Sequence, residues 1–149
     1  MKVTMMLADY AQVADGKLTI VGGGWSVTGP FPGPFAIALL FEVPWDRANM
    51  RHRFRLDLVD ADGHVVFVQT DEGEEPLTIE GEFEAGRPPG LKPGTPLDVP
   101  IAINMPGPPI PASGRYEWRL TVNGEGSSDW RLPFSTRAED ELPPDFPPS

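Results

Sequence analysis

The sequence predicts an all-β domain: a single two-sheet antiparallel sandwich of about eight or nine strands, with a small β-barrel as the alternative closure. Three observations carry this. Apolar residues recur at every second position in run after run, the period of a strand with one buried face. Gly (16) and Pro (19) are abundant but not in repeats, so they read as punctuation between strands. No stretch shows a credible helical period. Each strand offers one apolar face, and two sheets packed face to face bury all of them.

The elements follow in order. Val3, Met5 and Leu7 alternate with Lys2, Thr4 and Met6, and Leu18 and Ile20 alternate with Lys17 and Thr19. Asp15-Gly16 between these runs marks a hairpin. Ile37, Leu39, Phe41 and Val43 form one face of the next run, and Ala36, Ala38 and Leu40 on the other face are also apolar, so this strand is central. Met50, His52, Phe54, Leu56 and Leu58 alternate with Arg51, Arg53, Arg55 and Asp57. Asp62-Gly63 turns the chain into His64–Thr70. A two-residue loop and a three-residue bulged loop there put opposite sets of Val65–Val68 inward.

Leu77, Ile79 and Phe83 share a parity against Glu80, Glu82 and Glu84. Leu97, Val99, Ile101, Ile103 and Met105 share another. Tyr116, Trp118, Leu120 and Val122 form the next, and Trp130, Leu132 and Phe134 the last. Pro100 and Pro133 belong on edges or bulges, because proline cannot donate to a ladder. Gly29–Pro34, residues 87–96 and Pro106–Ser113 read as irregular connectors. The expected organisation is a sandwich over residues 1–137 and an acidic, Pro-rich flexible tail over 138–149.

Composition narrows the function classes. Net charge is −10, of which −9 lies from Thr70 onward, where 15 acids face 6 bases. That balance disfavours nucleic-acid phosphate and anionic membrane as partners. Cysteine is absent, and the apolar run Val3–Ala8 is shorter than a signal h-region. Together they predict a cytoplasmic protein.

Each motif with a possible chemistry also has a plainer reading. Gly22-Gly23-Gly24 follows a strand as phosphate loops do, but Trp25-Ser-Val-Thr-Gly-Pro does not open a helix, so a bulge or tight backbone contact is favoured. Asp60-Ala-Asp62-Gly63 starts like a calcium loop but lacks the later ligands. Asp71, Glu72, Glu74 and Glu75 read as a solvated loop. Two histidines and no cysteine supply no nucleophile or zinc cluster. The expectation is therefore no enzyme, no cofactor and no metal. Arg51, Arg53 and Arg55 match the period of Glu80, Glu82 and Glu84, which predicts cross-strand ion pairs ahead of a docking face.

Trp118 and Trp130 hold core parity, while Trp25 and Trp45 lie beside Gly/Pro loops. The candidate interface is accordingly Trp25, Phe31, Phe35, Trp45, Arg51, Arg53 and Arg55. The favoured reading is a non-enzymatic binding or structural module that contacts a protein partner or itself. A sandwich that binds a small ligand or glycan, and a structural component of a phage-like particle, are the alternatives.

Leu7–Gln12, Gly16-Lys17-Leu18, Gly22–Trp25 and Val43-Pro44-Trp45 resemble a family of small uncharacterised bacterial proteins, mainly actinobacterial, over most of the chain to about Phe134. The resemblance implies a bacterial cytosolic β-protein and brings no activity with it. Separately, the closing hairpin through Tyr116, Trp118 and Asn123-Gly124 looks like the last hairpin of many immunoglobulin-like sandwiches, which implies that fold alone.

Overall fold

Residues 1–30 and 32–139 are described by a computed structural model; Phe31 and residues 140–149, most of the expected tail, lie outside them. Asp15 and Gly16 take φ of +52° and +71°, and Asn123 and Gly124 take +52° and +81°. Positive φ at both central residues defines the hairpin turn whose twist matches the flanking strands. The first turn joins β1 (Lys2–Ala14) to β2 (Lys17–Gly23), and the second joins β10 (Arg115–Val122) to β11 (Glu125–Thr136). Between them run β3 (Val27–Thr28), β4 (Phe35–Val43), β5 (Arg51–Asp60), β6 (Phe67–Thr70), β7 (Gly73–Pro76), β8 (Thr78–Glu84) and β9 (Leu97–Met105). A three-residue 3-10 turn, Trp45–Arg47, follows β4.

One sheet has the order β2-β1-β4-β9 and the other β3-β11-β10-β5-β8; β6 and β7 form a separate hairpin. Both sheets have free edges, which makes this a sandwich rather than a closed barrel. Placing β4 beside β9, and β11, β10, β5 and β8 in that order, reproduces the immunoglobulin-like layout. Tyr116 completes the likeness. Its hydroxyl donates back to the Pro111 carbonyl at 3.5 Å, as in the tyrosine corner of such sandwiches. Trp118, two residues on, is fully buried where antibody domains carry a disulfide cysteine. Burial, then the nearby Asp60 carboxylate, raise the Tyr116 phenol above its ordinary value. Gly114 leaves room for its ring, since a Cβ there would overlap it.

The expected inward parities of β4, β5, β9 and β10 form the core, with Phe41, Leu39, Leu56, Leu58, Trp118 and Leu120 essentially without solvent contact. β4 is central, as its two apolar faces predict. Pro100 sits on the edge strand β9, and Pro133 lies beyond the two residues of β11 that β3 covers. The loop after β5 has three residues. Gly63 N–H reaches the Asp60 carbonyl at 3.0 Å, Asp60 N–H reaches the His64 carbonyl at 2.9 Å, and Gly63 has φ +80°. This register packs Val66 on the core and leaves Val65 and Phe67 exposed.

Three expectations are corrected. The described residues form eleven strands rather than eight or nine. The additions are β3, too short to show a period, and β7, whose Gly-Glu-Glu-Pro sequence carries no apolar face. β3 pairs parallel to β11, so the sandwich is not wholly antiparallel. Met50 is exposed rather than aligned with His52, because Asn49 takes φ +59° and β5 begins only at Arg51.

Candidate interface

The aromatic residues singled out from the sequence do not share one surface. Trp25 is partly buried at one end of the sandwich. Its ring stands edge-on to Phe35 at 5.6 Å and to Phe134 at 6.4 Å, and its Nε1 is buried with no hydrogen-bond partner among the described residues. Phe35 is only 3 % exposed and belongs to the core. Trp45 lies past the other end of β4, about 30 Å away at the rise of an extended strand. There the Arg87 guanidinium covers its ring at 4.6 Å and donates to the Trp45 carbonyl from Nη2 at 2.6 Å. Both rings are thus engaged by their own chain, and Phe31 lies outside the described residues.

The arginine stripe is paired within the second sheet. Arg51, Arg53 and Arg55 stand opposite Glu84, Glu82 and Glu80. Glu82 takes both Arg51 at 3.6 Å and Arg53 at 3.2 Å, while Arg55 binds Asp57 at 2.9 Å and Glu80 at 3.6 Å. The hydrogen bond to Asp57 is the main cause raising the Arg55 guanidinium above its ordinary value. Exposed pairs of this kind add little to stability, but they offset the charge of the arginine stripe within its own sheet.

The histidines are also accounted for. His52 is 1 % exposed and stacked on Phe83 at 5.2 Å. Asn123 Nδ2 donates to its Nδ1 at 3.1 Å, which leaves Nε2 to carry the proton and donate to the Arg47 carbonyl at 3.2 Å. His64 is exposed and groups with Asp60 and Asp62. Asp60 Oδ1 already accepts the N–H groups of Asp62 and His64, both at 2.9 Å, and so serves the turn.

A different surface emerges from β1 and β2. The first half of β1 pairs with β4 from Lys2↔Glu42 to Ala8↔Ala36. Its second half leaves β4 and forms a hairpin arm with β2, Ala8↔Gly23 to Ala14↔Lys17. The arm lies on the outer face of the first sheet. Ala8, Ala11, Ala36 and Ala38 make a second small core there, with Met6, Leu18 and Ala102 against it. Small side chains allow this close approach. Asn104 of β9 fastens it by acting as a strand residue: Nδ2 donates to the Ala11 carbonyl at 2.7 Å, and Oδ1 accepts Ala11 N–H at 3.2 Å.

The glycines have their explanation here. Gly22 has φ +60°, and a Cβ on it would overlap the Asp9 carboxylate; one on Gly23 would crowd Ile20 and Met6. They let β2 close on β1 as Trp25 turns into the core.

Both faces of the arm expose apolar side chains. Tyr10 (47 %) and Val21 (55 %) stand on the face turned away from the alanine floor, while Val13 (45 %) and Ile20 (36 %) share the face of Ala11 and Leu18 and project past the floor. Tyr10 and Val21 are cross-strand partners. Sequence reading missed this surface by treating the hairpin as part of the sandwich wall. The signal was there: Ile20-Val21 and Tyr10/Val13 place apolar residues on both faces of one hairpin, so a single core cannot bury them all.

No curated protein matches the chain. Among the described residues, no helix is long and apolar enough to cross a membrane. The model of one family, described only as a family of unknown function, matches residues 3–135, which takes in the arm and every strand up to the last residue of β11. The chain therefore belongs to that family of unknown function, DUF6941.

Proposed function

We propose that this domain is a non-enzymatic binding module that works by protein–protein contact, with the β1–β2 arm as its contact surface. One observation carries the reading: Tyr10 and Val21, cross-strand partners on the outward face of the arm, stand exposed side by side, and Val13 and Ile20 are exposed on its other face. Scattered single exposed apolar residues are ordinary, whereas exposed apolar neighbours on one protruding hairpin point to a contact site. Tyr10 is also a residue type that interface centres favour. The two candidate bases have structural partners, His52 in the core and His64 at a surface turn, which supports a reading without catalysis.

A photo-crosslinking side chain in place of Val21, with Arg131 on β11 as the control position, tests this in lysate of the source organism. The expected result is a discrete cross-linked protein product from position 21 and none from 131. No product at either position, or equal products at both, would count against the arm.

A further inference from the structure

Resting on that reading, we infer that the arm's partner is a second copy of this chain, joined edge to edge through β2 across a two-fold axis. The free edges of the sheets differ in how they are protected. The stretch of β11 that β3 leaves uncovered carries Asp129, Arg131 and Pro133. β9 carries Pro100 in its middle, β8 carries Glu80, Glu82 and Glu84, and β3 is two residues long. These are the devices that keep an edge strand from pairing. β2 has none of them: Leu18-Thr-Ile-Val-Gly-Gly contains no charge and no proline, and its only charged residue is Lys17 at the turn.

The turn sets which backbone groups are offered. A two-residue loop closes on the Ala14–Lys17 pair, so that pair faces inward, and alternate residues Leu18 and Ile20 turn N–H and C=O away from β1. Two copies related by a two-fold axis satisfy both residues when Leu18 of one meets Ile20 of the other. Thr19 then lies on the axis opposite its own copy, and Lys17 lies opposite Val21. The alternative register, centred on Ile20, would demand pairing from Gly22, whose φ of +60° is not that of a strand.

Charge selects the occupant. The chain carries −10, yet residues 9–23 hold only Asp9, Asp15 and Lys17. Two acidic copies therefore approach with least repulsion at the arm, whereas a basic partner would be drawn to the acidic half beyond Thr70. The joined sheets form one eight-stranded sheet with an isologous contact, the commonest symmetry for such assemblies.

The chain has no cysteine, so Thr19→Cys introduces a single reporter. Residues opposed in a non-hydrogen-bonded pair have Cα atoms about 4.5 Å apart, within disulfide reach. The expected results are a concentration-dependent dimer of the unaltered chain in sedimentation, and rapid disulfide dimerisation of T19C with oxidised glutathione. Gln12→Cys is the control, since Gln12 pairs with Thr19 inside the arm and would lie three strands, about 14 Å, from its copy.

Val21 is exposed, so its variants retain the fold, which circular dichroism checks. Val21→Glu gains Lys17 of the second copy twice and should tighten the dimer about two- to thirtyfold, while Val21→Lys should weaken it by a similar factor. A chain that is monomeric at every concentration, with T19C no faster than Q12C, overturns self-pairing. Equal weakening by both Val21 variants overturns the register. If position 21 still cross-links a protein of different mass, the binding role survives and only the identity of the partner falls.

Discussion

Asn123 shows how one side chain couples a turn to the core. Its positive φ shapes the β10–β11 turn, and its N–H donates to the Arg53 carbonyl at 2.7 Å. Oδ1 accepts Arg53 N–H at 2.9 Å, and Nδ2 reaches buried His52. Asn123→Gly keeps the left-handed backbone and removes both side-chain bonds, leaving His52 Nδ1 without its donor. It should lower unfolding free energy by about 1–3 kcal/mol in urea denaturation. Asn123→Ala should cost more, because it adds backbone strain. If the glycine variant were neutral, the His52 contact would be incidental. The sequence marks Asn123-Gly124 as a turn from composition, but the His52 bond joins residues 71 positions apart and no local pattern encodes it. The same holds for Asn104 and Ala11, 93 apart.

At the scale of elements, legibility followed periodicity. β5 and β10 bury one alternating face, β4 buries both, and β9 packs Leu97, Val99, Ile101, Ile103 and Met105 on the core; these parities could be read directly. β3 and β7 bury none and left no signal. Pro106–Ser113 is the instructive intermediate case. Its proline content reads as a plain connector, yet Ile110 is fully buried in the main core. Thr136 ties the segment down, since its hydroxyl donates to the Pro111 carbonyl at 2.8 Å and accepts Gly114 N–H at 2.9 Å. A lone isoleucine among prolines has no period to betray its burial. Ile110→Ala should therefore cost about 2–5 kcal/mol, the range for a buried aliphatic truncation, and Tm should fall accordingly. A change below about 0.5 kcal/mol, usual for surface positions, would mean that the loop does not close the core.

For the whole molecule, the all-β sandwich class follows from local patterns, whereas the strand order and the arm do not. Alternation reports that a face is apolar but not which surface covers it. Ala11 and Leu18 are covered by the chain's own alanine floor, while Tyr10 and Val21, one register step away, are not. Charge then decides how such molecules meet. Each copy carries −10, so pairing through β2 works against a long-range repulsion that the nearly neutral arm does not create. The contact itself consists of backbone hydrogen bonds and apolar side chains, which salt does not screen. The screening length shrinks from about 30 Å at 0.01 M salt to about 8 Å at 0.15 M. Raising salt over that range should thus tighten the dimer, on the order of tenfold, as read by sedimentation equilibrium. A dimer held by the Arg51–Arg55 and Glu80–Glu84 stripes across two copies would do the opposite and loosen with salt. The sign of the salt dependence separates the two surfaces without a single mutation.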